Sequence, residues 1–282
     1  MIIAVASGKG GTGKTTIATN MALALKEVQF IDCDVEEPNA HLFLKPQIEE
    51  TMPVTVPIPV IDEKKCTHCG LCADACAFNA LVVFPKSVLV FEELCHGCGV
   101  CSYVCPEDAI REQKKEIGII EIGRRDEIAF MHGRLNVGEP MATPIIRKEK
   151  SLVKRDGTVI LDAPPGTSCP VIETVKGTDF CLLVTEPTPF GLNDLTLTVG
   201  MLRQLSIPMG IVINRADVGN EQVHEYCGQE DIPILLEIPM DSRIAHLYSE
   251  GIPLVEELPE YRDTFVDLFA RIVEIVKEQR SS

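Results

Sequence analysis

Two groups of residues in this chain have types and spacings that suit particular chemistries. The first is the run Gly8, Lys9, Gly10, Gly11, Thr12, Gly13, Lys14, Thr15, Thr16. Glycines at these positions let backbone amides close around a phosphate, with the N-terminus of a following helix pointing at the anion. Lys14 would then neutralise β- and γ-oxygens, and the Thr15 hydroxyl would ligate Mg²⁺. The second group is made of cysteines. Eight of the chain's twelve lie between residues 66 and 105. Met1 to Ser7 carries no charged leader, so these thiols read as metal ligands before they read as disulfides.

The glycine run fits the P-loop pattern of glycine, any four residues, then Gly-Lys-Thr. A rival reading exists, because Gly8, Gly10 and Gly13 also spell a dinucleotide fingerprint and Asp32 stands about where a ribose-binding acid would. Lys14 and Thr15 directly after the third glycine favour the P-loop. So does the strand end Asp32-Cys33-Asp34, which is not a lone acid. A second acidic strand end, Asp162 in VILDAPPG, supplies the Walker-B role.

The cysteines fall in two copies of C-x₂-C-x₂-C-x₃-C, the second shifted by 29 residues (Cys66 to Cys95). This is the bacterial ferredoxin spacing, in which three close thiolates hold one cubane and the fourth ligates the other. Two [4Fe–4S] clusters with crossed ligation follow. Cluster 1 takes Cys66, Cys69, Cys72 and Cys105, and cluster 2 takes Cys95, Cys98, Cys101 and Cys76. Pro106 follows the last ligand as the pattern asks, whereas Ala77 stands at the equivalent place in the first copy. Paired zinc sites are the alternative, disfavoured by three cysteines at two-residue gaps occurring twice. His68 and His96 lie among ligands but are not needed to complete either cubane. Of the other cysteines, Cys33, Cys181 and Cys227 read as buried packing residues.

The elements that must position these groups alternate strand and helix. Strands are expected at Met1 to Ala6, Val28 to Asp32, Thr158 to Leu161, Phe180 to Thr185 and Gly210 to Ile213. Helices are expected from Thr15, and at Pro170 to Lys176, Leu192 to Leu205 and Glu221 to Cys227. This predicts an α/β fold, a doubly wound, mostly parallel sheet of the P-loop NTPase kind, with a small inserted ferredoxin-like α+β domain. The expected boundaries are 1–60 and 111–282 for the discontinuous ATPase domain and 61–110 for the insert. The stretch TMPVTVPIPVID before it reads as a linker or edge strand, and residues 117–138 as a hairpin returning to the sheet.

Outside the cysteine segment the chain resembles the MinD/ParA group of deviant-Walker ATPases, through Lys9 in KGGTGKT, the IDCD pair, DAPPG and VINR. The resemblance implies ATP/ADP and Mg²⁺ as ligands and a homodimer formed across the nucleotide. It implies that Lys9 reaches the partner's nucleotide and that Asp34 orients the attacking water. Asp32 and Asp162 would support Mg²⁺ through its waters, the Gly166 amide would sense the γ-phosphate, and Asn214, followed by Arg215, would read the adenine edge. Lys9, Lys14 and Asp34 are thus the catalytic candidates. The related nitrogenase iron protein carries a cluster-ligating cysteine in the loop where Cys169 stands.

With 26 Lys plus Arg against 42 Asp plus Glu, the net charge of −16 argues against nucleic acid or an anionic bilayer as main partner. The last helix of MinD binds membrane. The apolar stripe Tyr261, Phe265, Leu268, Phe269, Ile272, Val273 and Val276 is instead backed by a mixed, acidic face, so docking on the ATPase core is expected. No apolar run approaches a membrane span, and a cytoplasmic location follows. The function expected is a dimerising Mg-ATPase that couples nucleotide state to iron–sulfur chemistry, as ATP-gated electron transfer to a redox or metallocofactor client protein. The alternative is an assembly or carrier protein for a metal cofactor on another protein, and a positioning ATPase ranks below both.

Overall fold

In a computed structural model that describes residues 1–281, the chain forms one nine-stranded sheet with helices on both faces. The first third builds β1 (Ile2–Ala6), α1 (Lys14–Leu25), β2 (Val28–Asp32), α2 (Ala40–Leu44) and a long β3 (Gln47–Ile61). The cysteine segment holds α3 (Leu71–Asp74), β4 (Leu81–Phe84), β5 (Ser87–Val90) and α4 (Val100–Tyr103). After it come β6 (Ile110–Arg125), β7 (Ile128–Leu135), α5 (Thr143–Leu152), β8 (Thr158–Asp162), α6 (Cys169–Val175) and β9 (Phe180–Thr185). The chain ends with α7 (Pro189–Gln204), β10 (Met209–Asn214), α8 (Gln222–Gln229), β11 (Ile234–Ile238), α9 (Ser242–Ser249), α10 (Leu254–Glu257) and α11 (Glu260–Ser281).

The strand order is β11-β10-β9-β1-β8-β2-β7-β6-β3, parallel from β11 to β7 and antiparallel for β6 and β3. This is the doubly wound, mostly parallel sheet the sequence predicts. The apolar runs of β1, β8 and β9 suit strands covered on both faces. Alternate residues of β1 divide between two cores: Ala4 and Ala6 face one, and Ile3 and Val5 face the other with Ile17 and Met21 of α1.

The expected stripe on α11 docks where it was placed. Phe265, Leu268, Ile272 and Val276 are buried in the core that holds α1 and Phe30, and Arg271 donates to the carbonyls of Ile234 and Leu235. Among the described residues, no helix is long and apolar enough to cross a membrane.

The segment before the cysteines is an edge strand and not a linker. β3 pairs with β6 from Gln47–Arg124 through Ile61–Ile110, whereas β7 covers β6 only from Gly118 to Arg125. Pro53, Pro57 and Pro59 are tolerated because β3 has no neighbour on its outer side. Beyond Gly118 the two strands run on alone as a ribbon of seven residues of β3, about 23 Å at the usual rise per residue. A register shift between Val54 and Thr55 marks its root. Residues 62–109 sit at its end, with β4 and β5 as a separate two-stranded sheet. Their packing is continuous with the ribbon: Val56 and Ile58 share a core with Ala80, Leu81, Cys95 and Cys101.

Truncating Phe265 to alanine removes a fully buried ring from the α1–α11 core. The variant should lose about 3–5 kcal/mol of stability, measured by urea unfolding. A loss near zero would show that α11 does not depend on this face.

Candidate functional site

The phosphate loop follows β1 at the carboxyl edge of the parallel strands, where ligands bind in sheets of this kind. Two glycines there are required by geometry. A Cβ on Gly8 would lie 2.5 Å from the Asp194 backbone, and Gly13 has φ +92° with Asn214 Nδ2 2.5 Å from where a Cβ would be. Gly13 precedes Lys14, the first residue of α1, so the loop feeds directly into a helix N-terminus.

Two acidic strand ends meet Lys14. The register of β2 against β8 sets Asp32 beside Asp162, and Lys14 Nζ donates to Asp162 Oδ1 at 2.8 Å, with both groups buried. This ion pair holds the Lys14 ammonium above its ordinary pKa despite its desolvation. Asp32 is fully buried and accepts backbone N–H groups from Asp34 (3.1 Å), Asn39 (3.0 Å) and Ala40 (2.9 Å), which fixes the turn into α2. Burial, reinforced by the charge of Asp162, pushes Asp32 up to about 7. Burial also pushes Asp34 up to about 6. Three carboxylates thus face one lysine, and Asp162 Oδ2 and Thr12 Oγ1 are buried without a partner. That surplus of acceptors fits a hydrated divalent cation.

Other expected site residues have partners of their own. The Gly166 amide donates to the Ser7 carbonyl at 2.9 Å. Asn214 Nδ2 donates to the Thr12 carbonyl at 2.8 Å, and its Oδ1 accepts from Arg215 N at 3.0 Å, so its amide braces the phosphate loop. Lys9 Nζ lies 3.2 Å from Glu186 Oε2, and Arg215 donates to Glu186 Oε1 at 2.6 Å. Sequence reasoning passed over Glu186. Its available signal was position, a carboxylate directly after the apolar strand FCLLVT. Glu149 of α5 was also missed. It is fully buried, and burial holds its pKa well above the ordinary glutamate value. Cys33, Cys181 and Cys227 are buried as expected, and Cys169 is exposed at the start of α6.

The eight cysteines converge on two cavities, each lined by the four that the crossed pattern assigns together. One is lined by Cys66, Cys69, Cys72 and Cys105. The other is lined by Cys95, Cys98, Cys101 and Cys76. The sequence repeat is a structural one. His68 and Gly97 both have positive φ, as do the helix-capping pair Gly70 and Gly99 and the pair Asn79 and Asp108. Ala80 N donates to Cys76 Sγ and Ala109 N to Cys105 Sγ, each at 3.3 Å. The turn after Cys76 therefore matches that after Cys105, although Ala77 replaces the proline. Four thiol groups around a cavity, one receiving a backbone N–H, fit a cubane of iron and sulfide.

A parallel sheet that delivers a glycine loop, a buried lysine and two acidic strand ends to one edge defines a P-loop nucleotide-binding protein. The family described as the CobQ/CobB/MinD/ParA nucleotide-binding domain matches residues 3–254, and the chain belongs to it. It is 33% identical to the uncharacterised protein MJ0578 of Methanocaldococcus jannaschii, over 98% of each chain. It is 25% identical to a protein of Pyrococcus horikoshii named iron-sulfur cluster carrier protein, over 98% of this chain and 86% of that one. Among solved structures, the septum site-determining protein MinD of Pyrococcus horikoshii with Mg-ADP shares the fold. Its TM-score is 0.59 at 21% identity, covering 95% of this chain and 93% of that one.

Raised carboxyl pKa values have a consequence for stability. The native protein holds protons on Asp32 and Asp34 that the unfolded chain gives up above its ordinary value of 3.8. Stability of the ligand-free protein is therefore greatest at and below about pH 4 as far as these groups decide it. It falls as pH rises through 6 and 7. Glu149 acts in the same direction. Urea midpoints between pH 5 and 8 should fall for the free protein and fall less with Mg-ADP. Replacing Glu149 by glutamine should flatten the curve. A midpoint that rises over this range would contradict the assignment of these groups as buried and protonated.

Proposed function

We propose that the chain is an Mg-ATP-dependent, dimerising ATPase that carries iron–sulfur clusters in its residue 61–110 segment and passes them to a client protein under nucleotide control. The observation that carries this reading is the pair of four-cysteine cavities at the end of a ribbon rooted in the ATPase sheet. The clusters are two [4Fe–4S] cubanes, on Cys66, Cys69, Cys72 and Cys105 and on Cys95, Cys98, Cys101 and Cys76. Several relatives at 24–25% identity bear the name iron-sulfur cluster carrier protein, which supports transfer of a cluster. A second reading, ATP-gated electron transfer, is favoured by the full ferredoxin complement of eight cysteines.

The nucleotide site works through its own residues. Lys14 must exchange Asp162 for phosphate oxygens, which leaves Asp162 free to face the hydrated Mg²⁺ together with Asp32. Asp34, half-buried and with its pKa raised to about 6, stands at the strand end to orient the attacking water. Lys9 is held by Glu186 of its own chain and must leave it to reach a partner's nucleotide across the dimer. Gly166 and Asn214 contact the phosphate loop from two sides, at Ser7 and Thr12. They sense the γ-phosphate and the base by exchanging or extending those contacts.

Anaerobically purified protein should contain about eight irons per chain. Incubation with an apo-ferredoxin acceptor should load the acceptor faster with Mg-ATP than with Mg-ADP. Retention of all iron, with only electrons reaching the acceptor, would favour the second reading, and stoichiometric zinc without sulfide would sink both.

Two substitutions separate the roles at the phosphate loop. Lys14→Ala should abolish hydrolysis and weaken nucleotide binding. Asp34→Ala should keep ATP binding and accumulate dimer, because water positioning and not affinity is lost. Hydrolysis by Asp34→Ala at the wild-type rate would remove Asp34 from the mechanism.

A further inference from the structure

The two cavities descend from one sequence repeat, yet their surroundings differ. The difference follows the ribbon. The cavity of Cys95, Cys98, Cys101 and Cys76 is lined by Pro57, Pro59 and Glu112, so it lies along the ribbon toward the sheet. The cavity of Cys66, Cys69, Cys72 and Cys105 meets the ribbon only at its tip, through Ile61 and Ile110. The first is proximal and the second distal. In the proximal set Cys95 and Cys101 are 8% and 9% exposed. No cysteine of the distal set is buried.

A second difference lies at two repeat-equivalent positions. At the proximal cavity Phe78 follows the fourth ligand's loop and His96 follows the first ligand. Their rings stack at 3.6 Å between centroids and 10° between planes. The stack ties the Cys76 loop to the Cys95 loop, and both rings line the cavity. A shift of 29 residues puts Glu107 where Phe78 stands and Thr67 where His96 stands. These two residues line the distal cavity, and among the described residues no hydrogen bond or ion pair joins them. The distal rim instead offers Glu63 and His68, hydrogen-bonded at 3.0 Å, whose ligand atoms lie within 4.8 Å of Cys66 Sγ. They are groups that could receive an iron as a thiolate lets go.

We propose that the distal cavity holds the exchangeable cluster, the one a client or chelator meets, while the proximal cavity retains its cluster behind the Phe78–His96 stack and the ribbon. This rests on the reading that both cavities hold iron–sulfur clusters. Release at the distal site is a ligand exchange in which incoming thiolates replace those of Cys66, Cys69, Cys72 and Cys105. The cluster keeps its electrons, and the freed thiolates take up protons from water. The proximal cluster, nearer the ATPase sheet, stays bound through that cycle.

The test uses the full-length protein purified anaerobically with its iron counted. It is exposed to an iron chelator with dithionite, sampled over time, desalted and alkylated with iodoacetamide, and the labelled cysteines are mapped by mass spectrometry. Iron should leave in two phases of equal size. Labelling at Cys66, Cys69, Cys72 and Cys105 should accompany the fast phase, and labelling at Cys95, Cys98, Cys101 and Cys76 the slow one. Phe78→Ala should speed the slow phase by up to about tenfold, the factor a single stacked aromatic pair can contribute, and leave the fast phase unchanged. Equal labelling of both sets in the wild-type protein, or proximal labelling first, would overturn the inference whatever the variant does. A protein that binds no iron at all would overturn the cluster reading itself, and this inference with it.

Discussion

The buried pairing of Lys14 with Asp162 sets the terms for the nucleotide end of the molecule. A lysine in the dry interior is tolerated only if its charge is matched, and here the match is a carboxylate at 2.8 Å with a second, Asp32, one strand away. One ammonium cannot neutralise Asp32, Asp34 and Asp162, so burial keeps Asp32 and Asp34 protonated well above the usual carboxylate range. The site is thereby poised. On the proposed function, a magnesium-bound phosphate would draw Lys14 toward the anion and let Asp32 and Asp34 ionise against the cation. Electrostatic rearrangement at this one point would then bear on Asp32, whose carboxylate also holds the backbone entering α2.

The same strand ends connect that site to the cysteine segment. Asp162 of β8 lies beside Asp32 of β2, Asp32 beside His132 of β7, and His132 beside Glu121 of β6. His132 Nε2 and Glu121 Oε2 are 2.9 Å apart, and His41 of α2 packs edge-on against the His132 ring at 5.2 Å. β6 continues from there into the ribbon that ends at Ile110, beside the distal cavity. The insert is therefore not hinged directly on the two acidic strand ends, as its place in the chain suggests. α2 and β3 intervene on one side, and β6, β7 and α5 on the other. What joins the two regions is lateral strand pairing, with a register shift at Val54 and Thr55 where the ribbon leaves the sheet.

Much of this was legible in the sequence because it is written in short patterns. The phosphate loop, the acidic strand ends and the crossed cysteine sets each depend on residues whose spacing along the chain fixes their geometry. Phe180 to Thr185 is a strand in both readings because its six apolar or small residues suit burial on both faces. What escaped reading depends on tertiary neighbours. Glu186 acquires its role only when Lys9 and Arg215, far apart in sequence, meet it. Glu149 looks like one of several charges in IIRKEK until α5 turns it inward. Phe78 and His96 look like departures from a repeat until the fold stacks them. The length of β3 was hidden because its prolines argue against a strand unless its outer edge is known to be free.

On the proposed function, nucleotide at the phosphate loop is felt by clusters at the end of the ribbon. Linkage makes this reciprocal, since any free energy by which ATP changes the clusters must appear as a change in nucleotide affinity on their reduction. The most direct test is a redox titration of the cluster-loaded protein with Mg-ADP and with Mg and a non-hydrolysable ATP analogue. Midpoint potentials should differ in the two states, with a shift of about 59 mV for each ~1.4 kcal/mol of coupling in a one-electron couple. Identical potentials, with both nucleotides shown to be bound, would contradict it.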